Sequence, residues 1–249
     1  MIFSTIELFI FYSLVLPVGL ALRHTRFFHL FLLAASLHFY MSWNAYFILL
    51  LLFAISVDFL IAPRIAAGKT ELEKKRWLLL SLLSNLGLLG FFKYTNFLID
   101  TANWILPPEM ELSHLDIILP VGISFHTFQT LSYTLDVYYG RILVERSFVK
   151  LALFVSFFPQ LVAGPIVRAQ QFLPQLYRKI AVDMARIKEG GERFLIGLVK
   201  KLLIADALAP YVDRVYGNPA LYDATTLWRQ PLPSGSRSIV IFPVIRIWR

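Results

Sequence analysis

Long apolar runs separated by short polar connections fill the first 140 residues. They cover Ile2–Leu22, Phe27–Trp43, Ala45–Ala62, Trp77–Ile99 and Ile117–Tyr139. A helix of about 20 apolar residues spans the roughly 30 Å hydrocarbon core of a bilayer. The pattern therefore predicts five membrane-crossing helices, with Phe27–Trp43 short enough to be tilted or partly interfacial. Ile2–Leu22 has one interior charge, Glu7, placed where the outer surface can solvate it, and no basic residue before it. A signal peptide wants a basic n-region and a shorter core, so this run predicts a retained first span.

The connections set the orientation. Arg23 and Arg26 lie in the first, and Trp43–Ala45 has no Lys or Arg. Pro63–Arg76 has five basic residues, Asp100–Asp116 has none but carries Glu109 and Glu111, and Arg141–Lys150 has three. Cytoplasmic loops are the ones enriched in Lys and Arg. The alternation predicts an outside N-terminus, with residues 23–26, 63–76 and 141–150 inside.

Beyond Lys150 the pattern changes. Leu151–Gly164 is apolar but only 14 residues long, contains Pro159 and ends on Gly164-Pro165. That length suits a re-entrant or interfacial segment. Arg168–Arg193 carries six basic residues and returns to the cytoplasmic side; Phe194–Val212, with Lys200-Lys201 at its centre, reads as an amphipathic helix at the inner leaflet. The expected fold class is all-α: a polytopic membrane helix bundle with a re-entrant segment.

Composition agrees. The 249 residues are 57% hydrophobic and 16% charged, against about 25% charged in soluble domains. Cysteine is absent, which excludes disulfides and thiol chemistry. The net charge of +8 sits at the predicted inner face, where anionic lipid is the partner; nucleic acid is not expected.

Polar residues inside apolar spans are the candidate chemistry. His126, Gln129, Tyr133 and Asp136 recur at three- and four-residue spacing and form one stripe on a helix. Such a stripe serves as the wall of a substrate or proton pathway, or as interhelical glue. Lys93 either snorkels to the outer interface or pairs inside the bundle. Asp58 is one turn from the inner end of its span and is expected to act structurally near Arg64. Gly122-Ile123-Ser124-Phe125-His126 lacks the last glycine of a nucleophile elbow. His24, His29, His38 and His114 show no metal-ligand spacing, so no metal is expected.

Four segments carry a resemblance. They are Gly90–Phe97 (GFFKYTNF), Leu119–Phe125 (LPVGISF) with Gln129, Ser132-Tyr133 leading to Asp136–Tyr138, and Phe158–Arg168 (FPQLVAGPIVR). From Met1 to about Leu227 the chain resembles the membrane-bound O-acyltransferase family, in particular its bacterial branch of alginate O-acetyltransferase membrane subunits; D-alanyl-transferring and peptidoglycan-acetylating members look similar. The resemblance implies a helix bundle around a central funnel. An acyl donor, acetyl-CoA or another acyl carrier, would act as co-substrate with no bound cofactor. The acceptor would be hydroxyls of an exported polysaccharide, and the partners outside would be periplasmic or extracellular acetylation-complex proteins. His126, Gln129, Tyr133, Asp136 and Lys93 become funnel candidates, and Pro159, Gly164, Pro165 and Arg168 mark the re-entrant segment.

The resemblance also exposes a departure. Family members are roughly twice this length, and their catalytic histidine lies in a Trp-x-x-Trp-His type segment that this sequence does not contain. His126 stands where they often have an aromatic residue. No catalytic residue is assigned. One coding of the family's downstream Asp-Phe-Ser-Gly-Tyr-Ser-Asp-Met-Ala motif, read one base later, gives the residues of Ile241–Trp248. Residues 1–228 are therefore expected to be the N-terminal part of an acyltransferase domain, and 229–249 an out-of-frame tail. A non-catalytic membrane scaffold or an export subunit is the alternative.

Overall fold

The computed structural model describes residues 6–107, 110–161, 167–178 and 183–200, with isolated positions at 203, 207, 209, 210 and 214. Every regular element among them is helical: α1 (Ile6–Leu22), α2 (Phe28–Met41), α3 (Phe47–Ala67), α4 (Glu71–Asn103), α5 (Ile123–Tyr138), α6 (Phe148–Ser156), α7 (Phe158–Leu161), α8 (Ala169–Phe172), a 3₁₀ turn (Leu173–Tyr177) and α9 (Met184–Lys200). The chain divides into two units, residues 1–162 with 166–179, and residues 163–165 with 180–249.

In the first unit α3 packs along α4 and α5, and α2 covers α6 and α7. One apolar core joins Leu51, Ile55 and Ile65 of α3, Tyr133 and Val137 of α5, and Leu151, Phe154 and Val155 of α6. A second joins Leu8 and Phe11 of α1, Ala35 and Phe39 of α2, and Phe158 of α7. The Phe11 and Phe158 rings meet edge-on at 5.1 Å, a geometry the ring quadrupoles favour.

Among the described residues two helices, α3 and α4, are long and apolar enough to cross a membrane by length and composition. With 33 residues, α4 is about 50 Å long. Its burial is inverted. Ser81, Asn85 and Leu89 are its buried residues, while Leu79, Leu80, Leu83 and Leu86 are all exposed. Water would select the opposite arrangement; hydrocarbon selects this one, because a polar group in lipid must find its partner inside the protein.

Helix starts follow the local sequence. Thr70 caps α4 by accepting from the Glu73 N–H, and the Glu73 carboxylate accepts from the Lys69 N–H, a reciprocal arrangement of the capping-box kind. The apolar run Ile117–Tyr139 is not helical throughout, as its length had suggested. Gly122 takes a left-handed φ of 75°, and α5 starts only after it, at Ile123. Residues before that turn run extended beside α4. Asn103 donates to and accepts from the backbone of Leu112, and Asn96 does the same with Leu115. The two amides supply the hydrogen bonds a neighbouring strand would give.

The second unit contributes α9. Its side-chain ion pairs run Lys188–Glu192 and Arg193–Glu189, while Met184, Ile187, Leu195, Ile196 and Val199 are exposed apolar residues. The amphipathic helix thus starts ten residues earlier than the Phe194–Val212 expected from the sequence. The reason is local: Asp183 accepts the Ala185 N–H on its side chain and the Ile187 N–H on its carbonyl, which sets the first turn there. The proposed tail at 229–249 lies outside the described residues.

Candidate functional site

Helix α5 carries the polar stripe, and its four members are all buried: His126 1%, Gln129 0%, Tyr133 0% and Asp136 4% exposed. They sit on one helix but have different surroundings. Gln129 reaches α6, where its Nε2 donates to the Phe154 carbonyl at 2.6 Å. The Tyr133 hydroxyl accepts the Glu145 N–H at 3.1 Å. Asp136 lies 3.5 Å from the Arg141 guanidinium, and its carbonyl accepts the Arg141 N–H. Neither ring nitrogen of His126 has a hydrogen-bond partner among the described residues.

The helix break that faces Gln129 lies in residues 151–161, the described part of the predicted segment Leu151–Gly164. Residues 151–156 are each at most 1% exposed, so the last turns of α6 are fully enclosed. Phe157 turns out of helical conformation with ψ of 110°, and α7 follows at once. A break inside a protein leaves backbone groups that need other partners. Here Gln129 and Gln160 both donate to the Phe154 carbonyl, and the Phe158 N–H donates to Ser36 Oγ. Pro159 is buried beside them. Gly164 and Pro165 lie outside the described residues. Arg168 is exposed and caps α8 through its carbonyl, which accepts from Gln171 and Phe172.

Because two amides share one carbonyl, their effects on stability are not additive. Gln129→Leu or Gln160→Leu alone is expected to cost on the order of 1 kcal/mol. The double variant orphans the Phe154 carbonyl and should cost about 1 kcal/mol more than the sum. Equilibrium unfolding of the four proteins in one detergent measures this; additive costs would mean that water already bonds the carbonyl.

Two further buried polar groups flank the stripe. Asp58 is 1% exposed. Ser81 donates to its Oδ1 at 2.5 Å and Asn85 to its Oδ2 at 3.0 Å, while Thr130 of α5 donates to Asn85 Oδ1 at 3.1 Å. The structural role expected of Asp58 is carried by these partners and not by Arg64, which donates to the Leu60 carbonyl and lies over the Trp77 ring, at 5.1 Å. A long cation at a helix end reaches water and an aromatic face more easily than a buried carboxyl.

Glu145, 5% exposed, was not singled out from the sequence. It accepts the Ser147 N–H and the Tyr177 hydroxyl, the latter on both carboxylate oxygens at 2.8 and 2.9 Å. The Lys150 ammonium lies over the Tyr177 ring. Desolvation first, then the hydrogen bond and charge of Glu145, push the Tyr177 phenol up to about 12. Lys93 is exposed, stacks at 5.5 Å on Tyr94 and donates to Ser124 Oγ at 3.4 Å, so it reaches α5 from the exposed side. Among the described residues no three His, Asp or Glu side chains gather to hold a metal ion.

Comparison with known proteins then decides the relationship. The chain is 40% identical to probable alginate O-acetylase AlgI of Pseudomonas aeruginosa, over 90% of its own length and 44% of that protein's. It is a homologue of the alginate O-acetylases. The Azotobacter vinelandii protein of the same name is 39% identical over 91% of this chain and 45% of its own. Peptidoglycan O-acetyltransferase of Helicobacter pylori is 36% identical over 74% and 40% respectively. The chain thus spans less than half the length of these O-acetyltransferases. No family model matches it, and no solved structure does.

Proposed function

We propose that this chain is the membrane-embedded front portion of an O-acyltransferase, which passes an acetyl group from a cytoplasmic donor to hydroxyls of an exported polysaccharide such as alginate. The observation that supports it most is the buried stripe on α5, set against a broken helix, in a chain similar to proteins named as O-acetylases. A passive anchor has no use for four buried polar side chains on one helix. In the orientation set by the basic loops the chain is multi-pass in a bacterial inner membrane with its N-terminus outside. His126 then lies towards the outer end of α5 and Asp136 towards the inner end, about 15 Å apart along the axis. The donor is acetyl-CoA or another acyl carrier, and extracytoplasmic acetylation proteins are the partners.

Acyl transfer needs a group that takes the proton from the acceptor hydroxyl. Among the described residues none is built for this, so this chain alone is expected to be inactive. The test is acetyl transfer to a polysaccharide in membranes containing this chain alone, or this chain joined to the remaining length of a relative. The expected result is transfer in the second case only. No transfer in either, with both proteins folded, favours the scaffold reading. Because the chain has no cysteine, single cysteines at residues 25, 70 and 143 test the orientation, and all three should be labelled from the inside only.

A further inference from the structure

Three members of the stripe keep buried hydrogen-bonding atoms without a partner among the described residues: His126, Gln129 and, further along α5, Asp136 through Oδ2; the first two are one turn apart. His126 presents two ring nitrogens and Gln129 presents Oε1, all buried and without a partner among the described residues. The orientation of the Gln129 amide is fixed by chemistry. Its Nε2 is held on the Phe154 carbonyl, and a flipped amide would set two acceptors against each other. Oε1 is therefore an acceptor that wants a donor. A neutral imidazole offers one N–H and one lone pair in either tautomer.

The two residues are three apart on α5, so their side chains leave the same face of the helix one turn apart. A single small group between ring and amide could bond to both. The chemistry selects what can sit there. A carboxylate or phosphate has no proton for Gln129 Oε1. An ammonium could donate to Gln129 Oε1 and to the ring lone pair, but it would place a charge without a counter-ion in a buried site. A hydroxyl has both a proton and a lone pair, and no charge.

We propose that His126 and Gln129 form a binding site for one hydroxyl group, which accepts from the imidazole N–H and donates to Gln129 Oε1. Two sources share this chemistry: a hydroxyl of the acyl acceptor, which rests on the acyltransferase reading, and a water molecule, which does not. Binding alone is proposed. No proton leaves the hydroxyl here.

The test is the ¹⁵N spectrum of histidine-labelled chain in detergent, with His126 assigned as the signal lost in His126→Tyr. That variant brings its own hydroxyl towards Gln129 and is expected to fold. The probes are a short alginate oligosaccharide and the same oligosaccharide with every hydroxyl acetylated. The expected result is a hydrogen-bonded neutral imidazole that shifts with the free oligosaccharide and not with the acetylated one. A hydrogen-bonded signal that ignores both probes but exchanges magnetisation with water keeps the site and assigns it to water, whatever the acetyl-transfer assay shows. An imidazole at the non-bonded position under all conditions overturns the site. So does a His126→Phe variant that melts higher than the parent, because removing a truly orphaned polar ring stabilises.

Discussion

Asp58→Ala is expected to destabilise the chain by about 3 kcal/mol, the largest effect of any single substitution proposed for it. The carboxyl is the acceptor on which three helices converge, with Ser81 and Asn85 of α4 donating directly and Thr130 of α5 tied to Asn85. Deleting it leaves a hydroxyl and an amide N–H without acceptors at positions that are 0% and 1% exposed. In hydrocarbon surroundings no water replaces the lost partner. Asp58→Asn keeps one acceptor oxygen but turns an N–H₂ towards a donor, so it should lose about half as much. Unfolding in mixed micelles compares the three proteins. A cost below about 1 kcal/mol for the alanine variant would mean that the helices repack around the gap.

Glu145→Ala is expected to cost about 2 kcal/mol and to loosen the connection between α5 and α6. The carboxylate holds the first N–H of the turn into α6 and ties down Tyr177 from the 3₁₀ turn. Its loss orphans the Ser147 N–H. The Tyr177 ring is largely exposed, so water compensates much of that half of the site. Glu145→Gln retains an acceptor for Ser147 and should recover more than half of the loss. Limited proteolysis between Arg141 and Lys150 is the second readout. Faster cleavage in the alanine variant is expected, and unchanged cleavage would show that the α6 cap at Ser147 holds the loop by itself.

The five apolar runs were legible because hydrophobicity at this density leaves the chain few other solvents. The structure places a helix in each, and among the described residues α3 and α4 have the length and hydropathy to cross a membrane. The boundaries were less legible. Ile117–Tyr139 looked like one span, yet Pro120 and the positive φ of Gly122 delay α5 to Ile123. Lys93 left two readings open, and it combines them: the ammonium stays exposed and still reaches Ser124.

By itself the sequence determined the helical class, the periodic stripe His126–Gln129–Tyr133–Asp136, the short Pro-containing segment Leu151–Gly164 and the resemblance to O-acyltransferases. Each is a property of spacing or of a contiguous motif, and period alone puts residues three and four apart on one face. Only the tertiary structure decided which partner each polar group has. Asp58 turned to Ser81 and Asn85 rather than to the nearer Arg64. Glu145, hidden among Arg141, Arg146 and Lys150 in what reads as a solvated loop, became a buried anchor. Gln129 and Gln160, 31 positions apart in the sequence, met on one carbonyl. The physical reason is common to all three. A buried hydrogen bond forms between groups that packing brings together across helices, and the chain records the groups but not the packing.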